Sequence, residues 1–402
     1  MLEATAPRIR EDHVQALEGS QALARAVALC RPEVVAAYPI TPQTHIVENI
    51  AKLVADGALE CELVSVESEF SAASVVLGAA AAGSRAYTAS ASQGLILMSE
   101  VLFNIAGLRI PLVLTCANRA VGAPLNIWND QSDSMAVRDA GWVQLYCADN
   151  QEAVDATIQA FRIAEATELP VMVCVDGFTL THTLEALRIP TQAQVDAFLP
   201  PFRFRRALDP ARPDSIGTLV DSNWFTEARH AHHQALHRAA DAIVQADADW
   251  AAITGRNCGG LLSVEGPEDA TRAILTLGSL HGTLQDAVEA HPESGPFKLI
   301  RLRCFRPFPA EALCQALRGV KTLIVLERAF STGQSGIVGT ETRAALMDAG
   351  LHIQVHDFAL GLGGRDVPLE ILPRLGEAVA AGKGRPFDIL DLIPEKLPAE
   401  DR

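Results

Sequence analysis

The stretch Tyr38-Pro39-Ile40-Thr41-Pro42 marks the point at which the chain must leave its first buried strand. That strand is predicted by the apolar run at residues 34–37, and the two prolines forbid its regular continuation. Pro42 disfavours helical backbone at Thr41, so the Thr41 hydroxyl is expected at the carboxyl end of the strand, just before a helix predicted over residues 44–54. Open parallel sheets bind their ligands at this edge. A proline-rich turn without any chemical role would also explain the pentapeptide. The residues at the ends of the later strands must therefore decide between a binding site and a plain turn.

The first half of the chain alternates short β-rich runs with helical stretches between residues 19 and 176. Such alternation predicts a parallel sheet covered by helices, so the fold class is α/β. The Ala-rich helix expected over residues 71–82 has small side chains that allow close packing, and we predict that it is buried. The predicted strands are residues 34–37, 61–66, 85–88, 112–116, 143–147 and 171–175.

The alternation stops between residues 184 and 266, where prolines and an Arg-rich patch appear. We interpret this segment as an excursion and linker that carries one helix over residues 226–246. His233 and His237 lie four residues apart in that helix, a spacing known from metal sites. No Glu follows His233, and Arg229 and Arg238 flank these histidines, so we expect a solvent-exposed helix face rather than a metal site.

A second alternating unit begins at residue 270 and predicts a smaller α/β domain. Two of its loops, residues 278–283 and 333–336, are rich in Gly and precede helices. Such loops can hold a phosphate at a helix N-terminus, although a tight connection without a ligand explains them at least as well. The predicted strands of this unit are residues 273–277, 298–303, 322–326 and 353–358. The domains are predicted at residues 1–183, 184–266 and 267–402.

The composition of the chain argues against several classes of protein. The 402 residues carry 33 Lys and Arg against 49 Asp and Glu, a net charge of -16, which disfavours nucleic acid or an anionic membrane as a partner. The eight cysteines never form a C-x-x-C pair, so we expect buried, reduced thiols and no iron–sulfur cluster or zinc ribbon in this chain. Residues 1–12 are polar and charged, so no signal peptide is expected, and no uncharged apolar run reaches the ~20 residues that span a bilayer. We predict a cytoplasmic protein.

Polar side chains follow each strand of the first predicted sheet. Because the carboxyl ends of parallel strands meet at one edge, these side chains should converge beside helix N-termini. Carboxylate, guanidinium, hydroxyl and amide groups in such a place are typical of a site for a small anion. In chain order they are Thr41, Glu67, Glu69, Ser90, Ser92, Gln93, Asn118, Arg119 and Asp176.

Two of these residues carry the chemistry. Glu69 opens the Ala-rich helix, and a partly buried carboxylate there could exchange or share a proton with a heterocyclic nitrogen; its alternative role is to complement the charge of the helix N-terminus. Arg119 follows a buried apolar strand, where its planar guanidinium could hold a carboxylate with two hydrogen bonds; its alternative role is a structural salt bridge. The local sequence leaves both alternatives open.

The motifs in this order resemble the α subunit of the 2-oxoacid:ferredoxin oxidoreductases, especially the pyruvate enzymes. The resemblance covers nearly the whole chain. In the first domain it rests on Tyr38-Pro39-Ile40-Thr41-Pro42, Glu67-Ser68-Glu69, Ala91-Ser92-Gln93-Gly94-Leu95, Asn118-Arg119, Asn126-Ile127-Trp128-Asn129-Asp130 and Asp133. In the second it rests on Gly278-Ser279-Leu280, Phe305-Arg306-Pro307-Phe308-Pro309 and Gly361-Leu362-Gly363-Gly364-Arg365-Asp366.

The resemblance implies a transketolase-type, pyrimidine-binding domain for thiamine diphosphate, followed by a transketolase C-terminal-like α/β domain. It implies that Glu69 contacts the aminopyrimidine and is catalytic, and that Thr41 and Arg119 bind the 2-oxoacid carboxylate. It further implies that the cofactor is contacted by Ser92, Gln93 and Asn118, and that no metal ligand comes from this chain. The chain departs from the family at Phe70, where many members have His, which puts one indirect contact in doubt.

The same resemblance implies partner chains. A diphosphate site usually begins with Gly-Asp-Gly and has an Asn about 25 to 30 residues further on, and residues 175–177 are not followed by that pattern. A β subunit is therefore expected to supply the Mg²⁺ and diphosphate site. Iron–sulfur clusters are expected on γ and δ subunits or their fused equivalents, with ferredoxin or flavodoxin as the electron acceptor and CoA as co-substrate. The assembly is expected to be a dimer of heteromers.

The implied reaction is the CoA-dependent oxidative decarboxylation of pyruvate to acetyl-CoA and CO₂, reversible in principle. The same reaction on 2-oxoglutarate or a branched-chain 2-oxoacid stays open, as does a noncatalytic scaffold subunit with a transketolase-like fold. We discard a nicotinamide-dependent dehydrogenase because Tyr38-Pro39-Ile40 stands where G-x-G-x-x-G would follow the first strand.

Overall fold

A computed structural model of the protein describes residues 13–381 and 386–401. The polar segment before residue 13 lies outside the described residues. The elements of the first part of the chain are β1 (His13–Glu18), α1 (Gly19–Leu29), β2 (Val34–Ala37), α2 (Thr44–Ala55), β3 (Glu62–Ser65), α3 (Glu69–Ala81), β4 (Ala86–Ser90), α4 (Ser92–Leu97), α5 (Ser99–Gly107), β5 (Val113–Asn118), α6 (Ser132–Ala136), β6 (Val143–Tyr146), α7 (Asn150–Thr167), β7 (Val171–Asp176), β8 (Leu184–Ile189), α8 (Gln192–Phe198) and α9 (Phe225–Thr254).

The remaining elements form the second part of the chain. They are β9 (Leu262–Glu265), β10 (Arg272–Leu277), α10 (Leu280–Ala290), β11 (Lys298–Leu302), β12 (Cys304–Arg306), α11 (Ala310–Ala316), β13 (Thr322–Glu327), α12 (Ile337–Asp348), β14 (Gln354–Ala359), α13 (Ile371–Ala381) and β15 (Asp388–Ile389). Short 3₁₀ turns lie at Arg138–Ala140, Pro292–Ser294, Leu362–Gly364, Pro394–Lys396 and Ala399–Asp401.

The first sheet has seven strands in the order β12-β6-β7-β5-β4-β2-β3. All pairs are parallel except β12 with β6, so six strands place their carboxyl ends at one edge. Strands β4 to β7 are buried along their whole length because helices cover both faces, which is why their sequences are mostly apolar. The predicted parallel sheet is thus present, and its first strand ends directly before the Pro-rich turn.

The segment at residues 184–266 is more than a linker. Strand β8 pairs antiparallel with β1, and β9 joins the second sheet. Helix α9 has 30 residues and is longer than the predicted helix. It is tied to α7 by a hydrogen bond of 3.0 Å between Gln159 Nε2 and Asp247 Oδ1. The two boundaries between the three predicted domains stay a prediction.

The second sheet has six strands in the order β15-β14-β13-β10-β11-β9, parallel except for β9. The two sheets are linked because β12, which follows β11, crosses to the edge of the first sheet and pairs with β6. A buried ion pair also joins the two parts, with Arg328 Nη1 lying 2.9 Å from Asp176 Oδ2. Gly278 approaches this pair so closely that a Cβ atom would lie 3.0 Å from the Asp176 carboxylate.

Helix α3 is buried on one face only, so the prediction of a buried helix was partly wrong. Ala72, Ala73 and Val76 are buried against the sheet. Phe70, Ser74 and Gly78 form an exposed stripe with a period of four residues, which is one face of an α-helix. The small side chains keep the buried face close to the sheet without requiring that the helix be enclosed.

All eight cysteines are free thiols, and seven are buried. Burial raises the pKa of Cys30, Cys116 and Cys147, as expected for small apolar core residues rather than reactive thiolates. No helix in the described part of the chain has the length and apolar character required to cross a bilayer.

Candidate active site

The carboxyl ends of β2, β3, β4 and β5 bring most of the predicted site residues together. Arg119, which directly follows β5, donates from Nη1 to the Thr41 carbonyl oxygen at 2.9 Å and from Nε to the Asn126 carbonyl oxygen at 3.0 Å. Its side chain is buried, and it makes no ion pair with any residue of the described ranges. The structural salt bridge considered for Arg119 is therefore absent among the described residues. Part of the buried Arg119 guanidinium is therefore available to bind an anion.

The Glu69 side chain is the second charged group of the site. It occupies the first position of α3, whose preceding residue, Ser68, caps the helix by accepting a hydrogen bond from the Ser71 backbone N–H. Glu69 is 6% exposed, and within residues 13–381 and 386–401 its carboxylate has no hydrogen bond or ion pair. A largely buried carboxylate without a donor costs free energy, so a ligand or partner that donates a hydrogen bond to Glu69 would stabilise it.

Gly94 and Ser90 adjoin the Glu69 carboxylate. A Cβ atom at Gly94 would lie 2.4 Å from Glu69 Oε1 and 2.7 Å from Ser90 Oγ, so this position has no room for a larger residue. Ser90 Oγ is itself buried without a hydrogen-bond partner among the described residues. The Glu69 carboxylate and the Ser90 hydroxyl thus lie close together at this edge of the sheet. Neither has a hydrogen-bond partner among the described residues.

Ser92 is held in a left-handed backbone conformation, with φ of 49°. Residues other than Gly adopt this conformation at a cost, and such residues cluster at functional sites. The Ser92 backbone N–H donates to Asp133 Oδ2 at 2.9 Å, and its hydroxyl donates to the Ala120 carbonyl oxygen at 2.5 Å. Its neighbour Gln93 is exposed and lies over Gly122, where a Cβ atom would be 2.8 Å from Gln93 Nε2.

Asp133 is the residue that organises these strand ends, and the sequence analysis assigned it no role. Its carboxylate accepts from the backbone N–H groups of Ser92, Arg119 and Ser134 at 2.9, 3.0 and 2.7 Å, and from Asn118 Nδ2 at 2.8 Å. Burial raises the pKa of Asp133, and the four donors act in the opposite direction. The same network occupies the Asn118 amide nitrogen and leaves Asn118 Oδ1 as its unsatisfied acceptor.

Glu67 and Asp176, two of the polar residues that follow the strands, do not face this site. Glu67 is exposed and accepts a hydrogen bond of 2.5 Å from Ser71 Oγ, which lowers the pKa of Glu67. Asp176 lies at the end of β7, but its carboxylate accepts from Arg328 and from the Ser279 backbone N–H and hydroxyl. Both residues follow strands that end at the predicted edge, but their carboxylates are bound to other side chains of this chain, because strand order alone does not fix the direction of a side chain.

The two loops considered for phosphate binding are filled by internal carboxylates. Asp176 Oδ2 accepts from the Ser279 backbone N–H at 2.9 Å, just before α10 begins. Glu327 accepts from the backbone N–H groups of Ile337, Val338 and Gly339 at 2.8 to 3.0 Å at the start of α12. These acids occupy the positions a phosphate would take, so the tight connection is the better interpretation of both loops.

The histidine pair on α9 agrees with a solvated face. His233 and His237 are exposed or partly exposed, with their Nε2 atoms 3.1 Å apart. No third ligand residue completes a group with this pair in the described structure.

Comparison with known proteins identifies the family to which this chain belongs. Residues 25–248 match the family model described as pyruvate flavodoxin/ferredoxin oxidoreductase, thiamine diphosphate-binding, and residues 270–372 match pyruvate:ferredoxin oxidoreductase core domain II. The pyruvate synthase subunit PorA of Methanosarcina barkeri is 43% identical over 366 residues, which cover 90% of this chain and 91% of the relative. The chain belongs to the α subunits of the 2-oxoacid:ferredoxin oxidoreductases. The resemblance noted in the sequence is confirmed.

Other members of the family are nearly as similar. PorA of Pyrococcus abyssi is 42% identical over 391 residues, covering 95% of this chain and 98% of the relative. The ketoisovalerate oxidoreductase subunit VorA of Pyrococcus horikoshii is 38% identical over 364 residues, covering 90% and 92%. The solved 2-oxoglutarate:ferredoxin oxidoreductase from Magnetococcus marinus has the same fold, with a TM-score of 0.68, 22% identity and coverage of 93% of this chain and 67% of that one. The predicted fold class of this α subunit is confirmed.

The described residues fit one end of thiamine diphosphate. Beside Gly94, the Ser90 hydroxyl is buried and the Glu69 carboxylate largely so, and neither has a hydrogen-bond partner among the described residues, which suits a polar heterocycle with ring nitrogens and an amino group. The diphosphate end does not fit, since the two helix N-termini considered for phosphate are occupied by Asp176 and Glu327. The roles assigned to Thr41, Glu69, Ser92, Gln93, Asn118 and Arg119 stay predictions.

Proposed function

We propose that this α subunit acts in the CoA-dependent oxidative decarboxylation of pyruvate to acetyl-CoA and CO₂, with electrons passed to ferredoxin or flavodoxin. One observation carries this proposal. A buried carboxylate, Glu69, and a buried guanidinium, Arg119, lie at the same sheet edge, and neither forms a salt bridge with a described residue. A 2-oxoacid supplies the anion that Arg119 lacks, and a basic heterocycle supplies the partner that Glu69 lacks.

Thiamine diphosphate would supply a carbon nucleophile for the 2-oxo group. Glu69 would hold or move a proton at a ring nitrogen of this cofactor. Arg119 binds the substrate carboxylate with the part of its guanidinium that Thr41 and Asn126 do not engage. The Thr41 hydroxyl, which has no hydrogen bond within the described ranges, donates to the same carboxylate.

The surface around this edge supports a partner subunit. Tyr38, Phe70, Leu125 and Trp128 follow the ends of three strands, and their side chains are 39%, 38%, 77% and 50% exposed. Exposed apolar groups gathered at one edge mark an interaction surface. We assign it to the β subunit that carries Mg²⁺ and the diphosphate site, in a dimer of heteromers. Clusters would be held by the other subunits, because seven of the eight thiols of this chain are buried and no C-x-x-C pair is present.

The free thiols also support a reducing compartment, for which we propose the cytoplasm. The relatives named for pyruvate and for ketoisovalerate keep a branched-chain substrate as the second candidate. A noncatalytic scaffold is disfavoured, because it would have no reason to keep two buried charged groups that form no salt bridge with the described residues.

The test is reconstitution with the partner subunits. The complex is expected to reduce a low-potential electron acceptor when pyruvate and CoA are both present, and to lose this activity when CoA is omitted. A folded, cofactor-loaded complex that is inactive with every 2-oxoacid would contradict the proposal and favour the scaffold.

A further inference from the structure

A group of potential metal ligands lies outside the proposed active site. Glu18, His45 and His182 each offer one ligand atom, and the three atoms lie within 4.8 Å of one another. All three side chains are partly buried. In a tetrahedral zinc site the bonds of 2.0 to 2.2 Å place ligand atoms roughly 3.3 Å apart, so side-chain adjustments of about 1.5 Å or less would close the group around an ion.

The three residues come from rigid and connected elements. Glu18 ends β1, His45 lies in the first turn of α2, and His182 lies in the turn between β7 and β8. That turn is tied to the start of α1, because the Ser20 N–H and hydroxyl both donate to the Thr181 carbonyl oxygen, at 2.9 and 2.7 Å. The ligand group is therefore held by the backbone before any metal arrives.

The histidine nitrogens are arranged in a way that suits a metal. His45 Nδ1 lies 2.8 Å from Glu18 Oε1, so these two ligand atoms already converge. His182 Nδ1 lies 2.8 Å from Thr181 Oγ1, which also accepts the Phe178 N–H at 2.9 Å. A hydroxyl fixed at Nδ1 sets the orientation of the ring and leaves Nε2 as the free ligand atom, which is how outer partners orient metal-binding histidines.

We propose that Glu18, His45 and His182 form a binding site for a divalent transition metal ion, with Zn²⁺ as the best fit and water as the fourth ligand. Two imidazoles and one carboxylate match the ligand preference of Zn²⁺, whereas Mg²⁺ and Ca²⁺ prefer oxygen ligands alone.

The site would stabilise the turn that adjoins the active site. The Phe178 ring lies 4.7 Å from the His182 ring and 4.5 Å from the Trp128 ring, centroid to centroid. Trp128 belongs to the same loop as Asn126, whose carbonyl oxygen holds Arg119. The ion thus acts as a structural clamp that joins the start of α2 to the turn carrying Phe178.

The test uses Co²⁺ as a spectroscopic probe of the full-length chain after treatment with a chelator. One Co²⁺ per chain is expected to give ligand-field absorption in the visible range, and Zn²⁺ should displace it. His182→Gln and His45→Gln should each weaken Co²⁺ binding by at least about tenfold, since each removes a ligand. Zn²⁺ should raise the melting temperature of the wild-type chain and not that of the two variants.

The matched control is the double variant His233→Gln/His237→Gln, which removes the exposed histidine pair on α9 and should bind Co²⁺ normally. Melting of each variant without metal shows whether it is folded, and Glu18→Gln replaces any variant that is not. The proposal is overturned if Co²⁺ does not bind, if binding is lost in the α9 control instead, or if an intense thiolate-to-cobalt band shows that cysteines are the ligands.

Discussion

At the scale of single residues, Glu69 and Glu67 form a natural pair for comparison. We predict that Glu69→Gln leaves the complex folded and cofactor-loaded but lowers kcat by ~10² or more, because the proton contact to the cofactor is lost while the side-chain volume is kept. Glu67→Gln is the control, since that carboxylate is exposed and bound to Ser71. Steady-state kinetics of both complexes is the measurement, and equal turnover of the two variants would show that Glu69 serves the helix N-terminus alone.

Arg119 provides the second prediction at this scale. Arg119→Lys keeps the positive charge but loses the planar fork and the contacts to Thr41 and Asn126. We expect kcat/KM for pyruvate to fall by about 10² or more, mainly through a higher KM, because ground-state binding of the carboxylate is weakened. Arg31→Lys, in an exposed pair with Asp196, should leave both constants unchanged. An unchanged KM in Arg119→Lys would remove Arg119 from the substrate site.

The sequence predicted which residues lie near the site better than it predicted their partners. The positions of Thr41, Glu69, Ser92 and Arg119 follow from where the strands end, and strand ends are local features. The position of Asp133 depends on a loop that returns to three strand ends, and no local pattern encodes such a return. The different directions of Glu67 and Glu69 likewise depend on helix phase, which sequence spacing alone left unresolved.

At the scale of elements, the loop and short helix that carry Asp133 should determine whether the strand ends keep their shape. In Asp133→Asn, either orientation of the amide directs an NH₂ group at two N–H donors, because each carboxylate oxygen accepts two hydrogen bonds. We predict a loss of about 2–4 kcal/mol in the free energy of unfolding.

Urea unfolding measures this loss. Asp139→Asn is the control, since the Asp139 side chain is 73% exposed and its loss should change the free energy of unfolding by less than about 0.5 kcal/mol. Similar unfolding midpoints for the two variants would mean that the Asp133 network does not hold the strand ends together.

Element boundaries show why regular patterns are easier to predict than exceptions. The buried strands β4 to β7 appear in the sequence as apolar runs and were placed to within one or two residues. Strand β12 has three residues and pairs with a strand about 160 positions earlier. Periodicity cannot detect a pairing that short and that distant.

At the scale of the whole molecule, the buried ion pair of Asp176 and Arg328 joins the two α/β parts. Arg328→Met would leave the Asp176 carboxylate buried without a cation, and we predict a loss of about 3–5 kcal/mol in the free energy of unfolding. Arg31→Met removes an exposed ion pair and should cost less than about 1 kcal/mol. Denaturant unfolding compares the two, and equal costs would show that the interdomain pair contributes no more than a surface pair.

The choice of substrate also belongs to this scale, because every candidate 2-oxoacid presents the same head group to Thr41 and Arg119. The difference lies at the distal end, which the proposed site would place near the exposed apolar side chains of Leu125 and Trp128. The nearest further cation in sequence, Arg138, donates to the Met135 carbonyl oxygen and faces Glu341 in a separate cavity of about 300 Å³. Arg365, which follows the Gly363–Gly364 turn packed on the Asn126 and Trp128 loop, is engaged by Asp391. A second carboxylate would therefore find neither cation free, and its desolvation should cost more than an added methylene, about 1–3 kcal/mol. We predict that kcat/KM of the reconstituted complex, with CoA and a low-potential acceptor, decreases from pyruvate to 2-oxobutyrate and is lowest for 2-oxoglutarate. If 2-oxoglutarate equals or exceeds pyruvate, the substrate assignment is wrong, although the reaction class would survive.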